Sequence, residues 1–263
     1  MRAYYELGVT SFRRHMTYRT AALAGLATNF FFGILRVYMF TAVLESGAPF
    51  AAYTHGQILA YTGWTQALMA TLIVYGWFEL MHTVKSGEVV GDLCRPMNYF
   101  WFWQVKDLGR AAQATLVRAV PLLVGYRLMF PVYLPGTAIV WLAFVASLIT
   151  ALFMSFAWRF AVSTISFWML DARGVMSLAY MVSWFLSGFF VPVDVFPAWA
   201  IGIVKYTPFP YMLHAPLQVV MGRLAGTALL HAMAVQVCWL TVLWLLCSVL
   251  LRLGLRRLVI QGG

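Results

Sequence analysis

Six apolar windows, at about 21–44, 56–78, 108–130, 136–158, 164–190 and 229–251, dominate this sequence. Each is long enough to cross a hydrocarbon core of ~30 Å, and a chain built this way has few options. In lipid every backbone polar group must be satisfied internally, which leaves helices or a closed barrel, and runs of this length specify helices. The expected fold is all-α and polytopic, with six transmembrane helices in one membrane domain over residues 1–263. Composition agrees: 63% of the residues are hydrophobic, 10% are charged and the mean hydropathy is +0.82. No repeat, Ser/Gly linker or low-complexity tract divides the chain.

The basic residues set the expected orientation. Arg2, Arg13, Arg14 and Arg19 precede the first window, and Lys85, Arg95, Lys106 and Arg110 lie between the second and third. Arg159 and Arg173 flank the next connection on that face, and Arg252, Arg256 and Arg257 follow the last window. Only Arg127, Lys205 and Arg223 fall on the other side, so the positive-inside rule places both termini in the cytoplasm. The net charge of +10 is thereby accounted for without nucleic acid, since no soluble basic domain exists to bind it. The start of the chain leads into a window too long for a signal h-region, so the first span is expected to be retained. Residues 3–18 set Tyr4, Tyr5, Leu7, Phe12 and Met16 against Glu6, Arg13 and Arg14. That pattern suits a helix lying along the inner interface, with a plain basic tail as the alternative.

Two connections are unusual. The stretch KSGEVVGDLCRP, Lys85 to Pro96, packs mixed charge and two glycines between apolar runs, more than a mere connection needs. It reads as a docking element for a soluble partner. The connection from Ser187 to Gly222 is nearly as apolar as a span, yet Pro192, Pro197, Pro208, Pro210 and Pro216 forbid a continuous helix. Short helical pieces, such as 197–206, dipping into the outer leaflet as an exit gate fit better, with Phe189, Phe190 and Pro192 as gate candidates.

Three cysteines without paired spacing indicate neither a disulfide framework nor a zinc site, and the five histidines are scattered. The chain carries no phosphate-binding G-x-x-x-x-G-K-[ST], so hydrolysis of ATP would belong to a partner. Its acidic residues, Glu6, Glu45, Glu79, Glu88, Asp92, Asp107, Asp171 and Asp194, all fall at or near window ends. An ion-coupled carrier normally needs one deep in the bundle. Arg36 and Arg118 lie within windows and must be answered by something. Each is open to two readings: a charge lining a pathway for an anionic headgroup or locking helices, or a side chain that snorkels or bonds backbone carbonyls. Gln66, Thr62, Tyr61 and Trp64, with Asn29 and Phe30 to Phe32, form either a polar-aromatic pathway seam or ordinary packing.

The loop K-S-G-E-x-x-x-x-L-x-R-P (Lys85 to Pro96), L-S-G-F-F-V-P-V-x-x-F-P (Leu186 to Pro197) and P-F-x-Y (Pro208 to Tyr211) resemble those of ABC-2 type permeases, most closely the small six-helix branch. The resemblance covers essentially the whole chain. It implies the membrane half of an ATP-driven exporter in a bacterial cytoplasmic membrane: two permeases, identical or homologous, each gripping a separate ATPase that holds ATP and Mg²⁺. This chain itself would hold no cofactor or metal. The coupling role would fall on Lys85, Ser86, Gly87, Glu88 and Asp92. An ion-coupled or facilitative carrier is the runner-up, and an intramembrane lipid-modifying enzyme the third reading.

Overall fold

A computed structural model describes residues 2–46, 53–72, 76–130, 132–169 and 171–257. Every regular element among the described residues is helical. Among the described residues, three helices are long and apolar enough to cross a membrane: Ala22–Glu45, Ala138–Phe167 and Gly226–Leu255.

Helix α1 (Arg2–Thr17) precedes the long α2 (Arg19–Glu45), and α3 (His55–Leu72) is buried along most of its length. Residues 73–75 of the expected window 56–78 lie outside the described residues; its last three positions, from Gly76 (φ 55°), are not helical, and the chain restarts as α4 (Glu79–Ser86). A short α5 (Val89–Leu93) follows, and then α6 (Tyr99–Ala114), which starts nine residues ahead of the expected window. Asn98 explains that start, because its side chain accepts the Trp101 N–H at 3.2 Å and caps the helix.

Pro121 does not break this helix. The Val120 N–H bonds to the Thr115 carbonyl, five residues back, so Thr115–Ala119 forms a π-turn that runs directly into α7 (Val120–Met129). Proline lacks an N–H and its ring collides with the carbonyl four residues earlier, and one wide turn absorbs both problems.

Helix α8 (Ala138–Ser163) continues as a 3₁₀ turn over Thr164–Phe167, so the start of the expected 164–190 window belongs to the preceding helix. Helix α9 (Arg173–Leu186) begins where the Asp171 carboxylate accepts the Arg173 N–H at 3.1 Å, and stops before Gly188, whose φ of 85° suits glycine. The proline-rich connection then runs as broken pieces: a 3₁₀ turn at Val193–Val195, α10 (Ala198–Val204), α11 (Phe209–Met212) and α12 (His214–Val220). Helix α13 (Gly226–Leu255) closes the fold parallel to α8. Ser147 bonds Gln236, the Cys247 thiol donates to the Ala157 carbonyl, and Gly254 abuts the Phe167 ring.

Helix α1 is clamped to α6. A Cβ built on Gly109 would fall 2.4 Å from the Gly8 carbonyl oxygen and 3.0 Å from the Phe12 nitrogen. Two glycines therefore let the backbones approach where no larger residue fits. Around this contact the Ser11 hydroxyl donates to the Lys106 carbonyl at 2.7 Å, and the Asn98 N–H donates to the Tyr4 hydroxyl at 3.1 Å.

Two large apolar clusters sit at opposite ends of the bundle. One joins Phe40, Tyr61, Trp64, Leu122, Tyr126 and Leu217. The other joins Leu80, Val89, Trp103, Phe156, Phe160 and Leu243, beside the 85–96 loop.

Candidate functional site

The 85–96 segment is two helices joined at a glycine. Lys85 and Ser86 close α4 and are exposed, and Gly87 takes the left-handed conformation (φ 79°) as its N–H donates to the Val84 carbonyl. This is the usual glycine stop of a helix, and here it sets the angle at which α5 leaves. Val89 is buried in the nearby apolar cluster, which fixes the elbow to the bundle.

Glu88 and Asp92 share a spacing but not a role. Glu88 is exposed and forms no ion pair among the described residues. The Asp92 side chain is only 12% exposed and pairs with Arg95 at 3.2 Å. Burial raises the Asp92 carboxyl above its usual range, with Arg95 and Lys106 pulling the other way. Arg95 in turn lies 4.9 Å above the Phe102 ring. The two carboxylates do not form a matched outward pair: Glu88 is exposed and Asp92 braces the turn.

Behind the elbow opens a cavity of about 870 Å³ between α1, α4 and α6, with Arg14, Glu79, Lys85, Glu88, Lys106 and Arg110 among its lining residues. Lys106 sits 3.4 Å from Glu79 and 3.8 Å over the Trp103 ring.

At its floor is an ion cluster that the sequence reading missed. Arg159, fully buried in α8, forms a two-pronged pair with Asp107 of α6 at 3.1 and 2.8 Å. Arg110 Nε donates to the same carboxylate at 2.8 Å, and its two terminal nitrogens donate to the carbonyls of Ala70 and Thr71 at the end of α3. One carboxylate thus ties three helices together. The only local signal was the i, i+3 spacing of Asp107 and Arg110, while Arg159 stood far away in sequence and read as a topology marker.

At the opposite end Arg36 holds the L-S-G-F-F turn. Its Nη2 donates to the carbonyls of Phe189 and Phe190, and its guanidinium lies 4.8 Å over the Phe189 ring and 5.4 Å over Phe40. The Tyr61 hydroxyl donates to the Gly188 carbonyl, so α2 and α3 both pin this turn. Of the two readings of Arg36, the geometry matches bonding to backbone carbonyls, here those of Phe189 and Phe190. Phe189 and Pro192 are buried, whereas Phe190 is 40% exposed.

Gln66 is buried at the α2–α3–α7 junction, with its Cγ beside Gly33. Trp64 packs on Trp141 and Phe144 and donates to the Tyr133 carbonyl at 3.1 Å. The Thr62 hydroxyl bonds the Ile58 carbonyl of its own helix. These are packing contacts, and they bring neither Gln66 nor Trp64 together with the loop residues. Arg118 stands apart from every one of these groups.

The family model described as ABC-2 family transporter protein matches residues 30–262. The chain belongs to that family. No curated protein and no solved structure matched it. The match to the ABC-2 family begins within α2, so the clamped helix α1 lies outside it, while the elbow, the ion cluster and the far-end turn lie inside.

The far end of this ABC-2 family protein holds a second polar network. The Asp194 carboxylate accepts from the Tyr53 hydroxyl at 2.7 Å and Gln218 Nε2 at 2.9 Å. His214 Nε2 is 3.3 Å away and Arg223 3.8 Å, with Arg223 stacked 4.0 Å over the Tyr53 ring. Burial acts to raise the Asp194 carboxyl, but bonds from His214 and Tyr53 and the charges of His214 and Arg223 outweigh it and hold the group at about 2. The folded value lies below the ordinary carboxylate value, so the network contributes stability above about pH 4 and loses it as pH falls towards 2. Acid titration followed by tryptophan fluorescence is expected to show loosening in that window, and Asp194→Asn to flatten the transition. An identical acid transition in the variant would remove Asp194 as its cause.

Proposed function

We propose that this chain is the permease subunit of an ATP-driven ABC exporter, docked through residues 85–96 onto a separate ATPase that binds ATP and Mg²⁺. The observation that carries the reading is the elbow: two short helices set at an angle by Gly87, anchored by Val89, and presenting Lys85, Ser86 and Glu88 outward. A rigid projection of this kind transmits displacement to the helices it is anchored in, which a floppy loop does not. Membership of the ABC-2 family supports the transport role.

In this reading the chain crosses a bacterial cytoplasmic membrane six times, through α2, α3, the α6–α7 unit, α8, α9 and α13, with both termini inside. Helix α1 lies at the inner interface, and the broken helices between α9 and α13 form the outer gate. A second permease, identical or homologous, completes the pathway, and a second ATPase lies beneath it. An ion-coupled mechanism is less well supported, because Asp107, the carboxylate deepest in the fold, is committed to two arginines.

The test is co-purification and export with the co-expressed ATPase. Glu88→Lys reverses the charge of an exposed residue and is expected to weaken ATPase capture about tenfold, since close charge pairs at interfaces are worth more than ~1.4 kcal/mol. Gly87→Ala, which forces a side chain into the left-handed region, is expected to reduce export without loss of insertion. Normal capture and export in both variants would reduce the segment to a connector. Stoichiometric ATP hydrolysis by this chain alone would overturn the proposal.

A further inference from the structure

Helix α9 reaches both ends of the bundle. At the far end it runs into the L-S-G-F-F turn, which Tyr61 holds at the Gly188 carbonyl and Arg36 at the carbonyls of Phe189 and Phe190. At the near end Tyr180 of α9 meets the start of α4, the first arm of the elbow. Its hydroxyl donates to the Trp77 carbonyl at 2.8 Å, and its ring meets the Phe78 ring edge-on with centroids 5.8 Å apart. Met81 of α4 joins Tyr180 and Met176 in one buried apolar cluster.

Trp77 lies in the non-helical stretch that follows Gly76, and a buried carbonyl in such a break needs a donor from elsewhere. Side chains of two helices surround it. Tyr180 comes from α9, and the Ser163 hydroxyl of α8 lies 3.4 Å from the Trp77 carbonyl and 3.1 Å from the Tyr180 oxygen. The Tyr180 hydroxyl carries one proton, so its short bond to Trp77 is made at the expense of the Arg159 carbonyl at 3.4 Å. The junction between α3 and α4 is thus fastened directly to α9.

Two helices therefore join the elbow region to the far-end turn, α3 and α9, and burial separates them. Helix α3 is buried at every position from Ile58 to Leu68, so moving it would disturb close-packed contacts on all sides. Helix α9 meets the bundle through a single stripe of Met176, Tyr180 and Ser183, continued by Ser187, while Leu178, Met181 and Phe185 are more than half exposed. A helix held by one stripe shifts or tilts with few contacts to remake. From Tyr180 to Ser187 it rises roughly 10 Å, so both attachments belong to one rigid element.

We propose that Tyr180 is a positioning residue of the transport cycle: its hydroxyl couples α9 to the chain break ahead of α4, so that displacement of the elbow is passed along α9 to Gly188, Phe189 and Phe190. This inference rests on the proposed docking of residues 85–96 onto an ATPase.

The experiment places the full chain and its co-expressed ATPase in nanodiscs and follows backbone hydrogen exchange by mass spectrometry, before and after trapping with ATP and vanadate. In wild type, trapping is expected to change exchange about tenfold both at 79–93 and at 187–196, a modest step on the scale of local opening in folded proteins. Tyr180→Phe keeps the ring against Phe78 and removes only the hydroxyl. It is expected to retain the response at 79–93 and to lose the one at 187–196. Ser163→Ala removes the α8 donor near the same carbonyl and is expected to keep both responses, which separates the link to α9 from the general stability of the break. A bond that merely holds the fold together would raise exchange in Tyr180→Phe without nucleotide and leave both responses to trapping intact, and that result would overturn the proposal. A wild-type response at 79–93 alone would also overturn it while leaving the docking in place. Absence of a wild-type response at both segments would refute the docking, and the link with it.

Discussion

Asp107→Ala is expected to cost about 3–5 kcal/mol of bundle stability, the scale seen when one partner of a buried ion pair is removed. The cost follows from what stays behind. Arg159 is fully buried and would keep its charge with one remaining bond, from its Nε to the Ser155 carbonyl at 3.2 Å. Arg110 would lose its carboxylate partner while keeping its bonds to the carbonyls of Ala70 and Thr71. The measurement is unfolding of the purified chain in mixed micelles, followed by tryptophan fluorescence. Asp107→Asn is expected to fall between wild type and Asp107→Ala, because an amide still accepts a bond while the charge is lost. Asp107→Leu combined with Arg159→Leu should recover a good part of the loss, since both desolvated charges disappear together. Equal unfolding of wild type and Asp107→Ala would show that the cluster does not hold α3, α6 and α8 together.

The second large effect is expected at Gly33. A Cβ at this position would fall 1.5 Å from the Tyr126 hydroxyl and 2.9 Å from Gln66 Cγ. The Tyr126 hydroxyl donates to the Phe30 carbonyl at 3.1 Å, and its ring is buried, so it has little room to retreat. Gly33→Ala therefore forces α2 away from α3 and α7. Overpacking of a rigid core typically costs ~1–3 kcal/mol, and the loss of the Tyr126 bond adds to it. Tyr126→Phe in the same chain should recover part of the loss by removing the clashing oxygen. A Gly33→Ala variant with unchanged unfolding would mean that the junction is slack.

The helices were legible because their signals are local. Apolar length marked Ala22–Glu45, Ala138–Phe167 and Gly226–Leu255, and the density of prolines after Leu186 marked the broken pieces. Boundaries were harder, because they depend on single contacts such as the Asn98 cap and on the continuity of α8 through Thr164–Phe167. Glu88 and Asp92 shared one expected coupling role, but Asp92 is taken up by Arg95, which in turn lies over Phe102. The networks around Asp107 and Asp194 stayed hidden because each unites residues from distant parts of the chain. No periodicity links Asp107 to Arg159, or Tyr53 to Asp194 and Gln218.

The parallel pairing of α8 with α13 has a mechanical consequence. Bonded at Ser147–Gln236, in contact at Ala157–Cys247 and closely packed at Phe167–Gly254, the two helices resist sliding and behave as one beam. Gln236 also donates to the Tyr211 carbonyl at 2.8 Å, which fastens the broken far-end helices to the middle of that beam. The L-S-G-F-F turn is held instead by Arg36 and Tyr61, on α2 and α3. A tilt of the beam against α2 and α3 would thus pull the two halves of the far-end segment in different directions, with the Asp107 cluster near the fulcrum. Strain would then concentrate between Phe190 and Tyr211, where the backbone is already divided into short pieces.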